Sequence, residues 1–172
     1  VELDDVDVGE AEAGAVERLA SGADRADAHD LRRAAGHGDG ADANVQKLGS
    51  IEVTARLLEV PPKAIVERQL YNYATVLKYE VAQVHRGALK KGDVIYVAHY
   101  NPFKPRSGAA DARVKGVGGD VVNFVAGAHH RMALEAPLDE HYMGGIVNEY
   151  HAETKAVLHW ALWTNEADAP KP

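Results

Sequence analysis

The chain has 172 residues, 46% of them hydrophobic, which suffices for one domain with a real core and falls short of two. It has no cysteine, so disulfide frameworks, thiolate zinc sites and cysteine nucleophiles are excluded. The formal net charge of −7 belongs to residues 1–50, which hold 12 acidic and 5 basic side chains; residues 51–172 hold 14 of each. That neutral remainder lacks the concentrated basic face that phosphate backbones require, so nucleic acid is not an expected partner, although local basic clusters remain open.

The N-terminal segment 1–48 is built mainly from Ala, Asp, Gly, Glu, Arg and His, and all eleven aromatic residues fall at Tyr71 or later. Such a segment has little with which to offset its ordering entropy. It reads as a disordered acidic leader, with a weak helix flickering over 10–35; a translation start set too far upstream in a GC-rich gene would give the same composition. No apolar run approaches the 18 or more residues of a membrane span, and VELDDVDVGE lacks the basic start and apolar stretch of a signal peptide. The expectation is a soluble chain, with any export signal or anchor lying upstream of it.

From Ser50 the pattern changes to alternation. SIEVTARLLEV places Ile51, Val53, Ala55 and Leu57 on one face and shifts phase at Leu58 and Val60, which predicts a strand over 50–60 with a bulge or twist. Pro61 and Pro62 end it, and KAIVERQLY allows one or two helical turns. NYATVLKYEVAQVH predicts a long, bent second strand, with Tyr73, Thr75, Leu77, Tyr79 and Val81 on one face. Its other face, bearing Ala74, Val76, Ala82 and Val84, is too apolar for an open sheet. RGALKKGD is a turn into the third strand, VIYVAHY. After a loop rich in proline and glycine, HHRMALEAPL predicts a fourth strand, and after DEHYMGGIVNEYHAETK the fifth is AVLHWALWT. Five strands with long excursions after the third and fourth predict an all-β domain over 50–166, a small OB-like Greek-key barrel with a short helix, followed by a polar tail over 167–172.

The succession YEVAQVHRGALKKGDVIYVAHY, followed by AGAHHRMALEAPL, resembles the netrin-like or tissue-inhibitor-like branch of OB-fold domains. There a strand ends in a Val-x-Lys/Arg-Gly turn, matched here by Val84, Arg86 and Gly87, and a glycine, here Gly127, opens a later strand. That branch is usually stapled by disulfides, so the resemblance implies the barrel and not protease inhibition. ARLLEVPP, LKYEVAQVHRG, HYNPFKPR, HRMALEAP, HYMGGIVNEY and WALWTN, spanning about 50–166, together resemble an uncharacterised bacterial β domain of cell-surface proteins. Such domains sometimes stand C-terminal to SGNH-type, alginate-acetylation-like acyltransferases. The resemblance implies an accessory module at the periplasm or cell surface, with polysaccharide or an envelope protein as partner. The Gly-Asp-Ser and Asp-x-x-His blocks of such enzymes are not in this sequence.

Reactive residue types are sparse. Seven of nine histidines lie after residue 80, but His99, His129, His130, His141, His151 and His159 show no His-x-x-x-His or His-Glu-x-x-His spacing. Surface or hydrogen-bonded barrel histidines are the plainer reading. Ser50 and Ser107 sit in no Gly-x-Ser-x-Gly elbow; Asp139, Glu140 and His141 read as solvated loop; GVGGD at 116–120 lacks the Gly-Lys-Ser/Thr of a phosphate loop; and PFKP is too common a pattern to imply a partner. No cofactor and no catalytic residue is expected. What favours binding is the gathering of rings, cations and amides in two loops, since barrel-rim loops often carry function. The expected ligand-binding set is His99, Tyr100, Asn101, Phe103, Lys104 and Arg106 with His141, Tyr142 and Asn148. An exposed tryptophan, Trp160 or Trp163, beside Tyr100, Phe103 and Tyr142 would complete an aromatic platform. The competing readings are a histidine-ligated metal hydrolase, a non-catalytic part of an O-acyltransferase holoenzyme, and a structural spacer.

Overall fold

The computed structural model describes residues 39–61, 72–104, 114, 116–151 and 155–171. Residues 1–38 of the leader expected over 1–48, the expected helical turns over 63–71 and Arg106 lie outside these residues. The chain divides into two units, 1–36 and 37–172, and the description below concerns the second.

Five long strands close into a barrel: β1 (Ile51–Glu59), β2 (Ala74–Arg86), β3 (Val94–Tyr100), β5 (His129–Glu135) and β7 (Leu158–Ala167). Two-residue strands β4 (Gly118–Gly119) and β6 (Ile146–Val147) pair in parallel with β7 and β2. Around the ring the order is β1–β2–β3–β7–β5 and back to β1, every pair antiparallel except β3 with β7. This is the expected small five-stranded, OB-like barrel, and closure leaves none of the five without a neighbour on either side.

The interior follows from strand alternation. Val53, Ala55 and Leu57 of β1, Leu77, Tyr79 and Val81 of β2, Ile95 and Val97 of β3, Met132 and Leu134 of β5 and Ala161 of β7 form one buried cluster, to which Val121 and Phe124 of the preceding loop contribute. The phase shift expected in β1 is present: its register against β2 slips between Leu57 and Glu59, leaving Leu58 unmatched. A second cluster lies on the opposite faces of β2, β3 and β7. Ala74, Val76, Tyr96, Ala98, Tyr100 and Trp160 are covered there by Leu138 and Tyr150, with Tyr142 packed alongside. The apolar second face of β2 is thereby explained, because the segment 138–151 lies over it as a strap.

The N-terminal boundary differs from the sequence reading, which assigns everything up to residue 48 to the leader. Asp39–Lys47 is a helix, α1, packed on β5 and β7. Its composition, DGADANVQK, is a poor helix former. Tertiary contacts hold it: Val45 is fully buried, and the Arg86 guanidinium donates to the carbonyl oxygens of Gln46 and Leu48 at 2.6 and 2.5 Å. Gly49, at φ 67, then turns the chain into β1 at a point where a side chain would strike the Leu134 carbonyl oxygen.

Candidate functional site

The end of β3 shows what becomes of the stretch HYNPFKPR. His99 points into the barrel with Ile95 and Val97 and is 1% exposed; Tyr100 lies under the strap at 4%. Neither presents a ring to solvent. Asn101 is also buried, at φ 46, and its side chain accepts from the Tyr73 amide at 3.4 Å and donates to Asn72 at 3.1 Å. The Lys104 ammonium lies 2.8 Å from the same Asn72 oxygen, and Phe103 packs against the interior cluster as a plug at the barrel end. In its described part the segment works as a stiff, internally bonded exit from the strand.

The second expected loop divides. Tyr142 stacks on Trp160, centroids 4.6 Å apart and planes inclined at 16°, and meets Tyr100 edge-on at 6.0 Å. Burial and the neighbouring Tyr100 raise the pKa of the Tyr142 phenol. Trp160 is 2% exposed, so the ring group expected as an open platform is instead closed on itself. His141 is exposed, as is Met143, whereas half-buried Asn148 accepts from the Tyr150 amide at 3.0 Å in a local turn.

Within the barrel a polar chain crosses the core. The Tyr79 hydroxyl lies 3.1 Å from His99 Nε2 and 3.0 Å from His130 Nδ1, and Thr164 Oγ1 is 3.5 Å from His99 Nδ1. Phe124 covers both imidazoles, with centroids at 4.7 and 5.3 Å. One phenolic proton cannot serve two acceptors, so one imidazole donates to Tyr79 while the other accepts from it. Burial, with the neighbouring His129 second, pushes the His130 pKa down to about 4. The adjacent histidines thus part company, His130 inward and His129 half-buried, as strand alternation requires. Among the described residues no three His, Asp or Glu side chains are grouped to hold a metal ion. His99 and His130 are bridged by the Tyr79 phenol.

A charged cluster sits where α1 meets the barrel. Glu52, 4% exposed, accepts from Arg131 Nε and Nη2 at 2.9 and 2.6 Å and from Arg86 Nη1 at 3.3 Å. Beside it, His85 Nε2 is 2.9 Å from Thr54 Oγ1. Burial and the Arg131 charge lower the His85 pKa, partly opposed by Glu52. Two cations on one carboxylate make this a structural clamp joining β1, β2, β5 and the end of α1.

An open concavity lies elsewhere, on the β2–β3 hairpin. A shallow cleft of about 530 Å³ is lined by Ala82, Gln83, Val84, Leu89, Lys90, Lys91, Pro170 and Lys171. No carboxylate contributes to its wall, and among the described residues no ion pair reaches Lys90, Lys91 or Lys171. Asp93 accepts from the Lys90 backbone amide at 2.8 Å, which fixes the turn, and Lys90 and Lys91 are exposed. Sequence reading passed over these lysines. The paired cations of RGALKKGD were visible, but their meeting with Lys171 depends on the path of the C-terminal tail.

Fold and site define a small closed β-barrel with a cationic cleft on one hairpin. No family model, curated protein or solved structure matches the chain.

Proposed function

We propose that the chain is a non-catalytic binding or accessory module for a polar, anionic ligand, with surface polysaccharide as the ligand class and the cell envelope as its setting. The setting and the ligand class come from the resemblance described above. The observation that carries the binding reading is the cleft, which Lys90, Lys91 and Lys171 line together with Ala82, Val84, Leu89 and Pro170 and where, among the described residues, no ion pair reaches the three lysines. Lysine ammoniums behave as hydrated point charges that suit carboxylate or sulfate groups spaced along a chain, and the apolar floor accepts the non-polar faces between them. By analogy of fold alone, strands 2 and 3 are also where OB barrels commonly take oligosaccharides.

A second reading, a structural spacer, is favoured by the internal employment of the rim residues: Tyr142 on Trp160, Phe103 in the barrel end and Lys104 on Asn72. Titration of isotope-labelled protein with oligogalacturonate, and separately with uncharged maltoheptaose, separates the two. The binding reading expects amide shifts confined to 82–84, 89–91 and 171 with the uronate alone. Shifts absent with both would favour the spacer, and shifts centred on 141–148 would move the site back to the strap loop.

A further inference from the structure

Alternation along β2 fails at its far end. Leu77, Tyr79 and Val81 face the interior, so a regular strand would next turn Gln83 inward and Val84 outward. The structure has the reverse: Gln83 is exposed, and Val84 packs against the interior cluster. The register with β1 gives the cause. Thr54 stands opposite Gln83 and Ala55 opposite Val81, so Ala82 is left unmatched as a β-bulge. An extra residue of this kind bends and twists the strand, which re-aims the side chains beyond it. Three consecutive residues, Ala82, Gln83 and Val84, consequently line one cleft, where a regular strand would offer only alternate ones. The bulge lies where β2 has outrun its hairpin partner. The ladder with β3 ends at Glu80 opposite Val94, and Val81 is bonded to the turn, accepting from the Gly92 amide at 2.7 Å and donating to the Asp93 carbonyl at 2.9 Å. Of the exposed side chains beyond the bulge, His85 is engaged by Thr54 at 2.9 Å, whereas among the described residues no hydrogen bond engages the Gln83 amide.

We propose that Gln83 gives the cleft its selectivity: it reads the hydroxyl groups of an anionic sugar chain, and so separates a polyuronate from an anionic chain without hydroxyls. This deepens the binding reading above and rests on it. Lys90, Lys91 and Lys171 supply charge, and an ammonium on a flexible stem attracts a carboxylate with little regard to what adjoins it. A primary amide carries two donors and an acceptor, so one side chain can donate to a carboxylate or ring oxygen and accept from the neighbouring hydroxyl. The Gln83 backbone is held in register with Thr54, which fixes where the amide starts from, while the lysines stand on a turn and on the segment after β7. Ala82 and Val84, on either side of it, offer apolar surface to the face of a sugar ring.

The test compares oligogalacturonate with oligoacrylate, a carboxylate chain that carries no hydroxyl, at one low salt concentration. Affinities for both are measured with the full chain, with Gln83→Met, which keeps the length and removes the amide, and with a variant carrying Lys90→Ala, Lys91→Ala and Lys171→Ala. In Gln83→Met the ratio of the two affinities should shift toward oligoacrylate by about threefold or more, the size expected for a hydrogen bond lost from a bound chain. A smaller shift, whether both affinities hold or both fall together, would overturn the role given to Gln83 and leave the cationic cleft standing. No binding of oligogalacturonate by the native chain, or equal binding by the lysine variant, would overturn the binding reading and this inference with it. If the methionine variant does not fold, Gln83→Val, suited to an exposed strand position, takes its place with the same outcomes.

Discussion

Asn101 is where β3 stops, and its conformation accounts for the stop. A φ of 46 is disfavoured for most side chains but tolerated by asparagine, and Pro102, lacking an amide proton, cannot extend the ladder. Asn101→Gly keeps the backbone and loses the bonds to Tyr73 and Asn72, whereas Asn101→Val loses both. Chemical denaturation should show the valine variant destabilised by about 2 kcal/mol and the glycine variant by about half that. The neighbouring residues show what the sequence made legible. His99 shares strand parity with Ile95 and Val97, and Tyr100 with Tyr96 and Ala98, so alternation alone contained the inward turn of the imidazole. The gathering of polar residues drew attention to the loop and away from that parity. Gly119 makes a related point: at φ 133, a Cβ there would overlap the Thr164 carbonyl oxygen. Gly119→Ala should therefore detach β4 from β7, seen as faster amide exchange at 118–121 and 163–165.

Among the elements, the strap over 138–151 and helix α1 depend most on distant partners. The strap has little regular structure, a 3-10 turn at Leu138–Glu140 and the two-residue β6, so its position rests on the short pairing of β6 with β2, where the Ala74 amide donates to the Gly145 carbonyl at 2.9 Å, and on side chains. Truncating Trp160 to alanine removes the surface on which Tyr142 stacks and should cost about 3–5 kcal/mol. Tyr142→Ala should cost less, about 1–2 kcal/mol, and expose 138–151 to limited proteolysis while the barrel amides stay protected. Helix α1 is fixed by Arg86 and Val45, and Arg86→Ala should release it with its carbonyls uncapped, read as lost helical ellipticity and a lower melting temperature. The five long strands were legible because each carries its own period-two pattern, and VIYVAHY coincides with β3. The helix was not, since a weak nine-residue sequence becomes helical only against a guanidinium reached from the far end of β2. The strap was half legible: the apolar second face of β2 required a cover, but nothing local identified which segment supplies it.

For the whole molecule, charge and protonation set the expected behaviour. A folded His130 pKa of about 4, below the unfolded value, gives stability that is complete above about pH 6.5 and lost progressively as pH falls toward 4, up to about 3 kcal/mol for that group. Acid sensitivity should therefore begin well above the carboxylate range. The neutral balance of residues 51–172 conceals an uneven distribution, with Glu52, Arg86 and Arg131 paired at the α1 end and Lys90, Lys91 and Lys171 at the cleft, in no ion pair among the described residues. Exposed charges of that kind act within a Debye length of about 8 Å at physiological salt, so attraction to an anionic chain should weaken as salt rises. The most direct measurement is the affinity of the full chain for oligogalacturonate between low and physiological salt, compared with a variant carrying Lys90→Ala, Lys91→Ala and Lys171→Ala. A cationic cleft predicts salt-sensitive binding by the native chain and at least a tenfold loss in the variant at low salt, with an unchanged melting temperature. Equal affinity of the two proteins would contradict it.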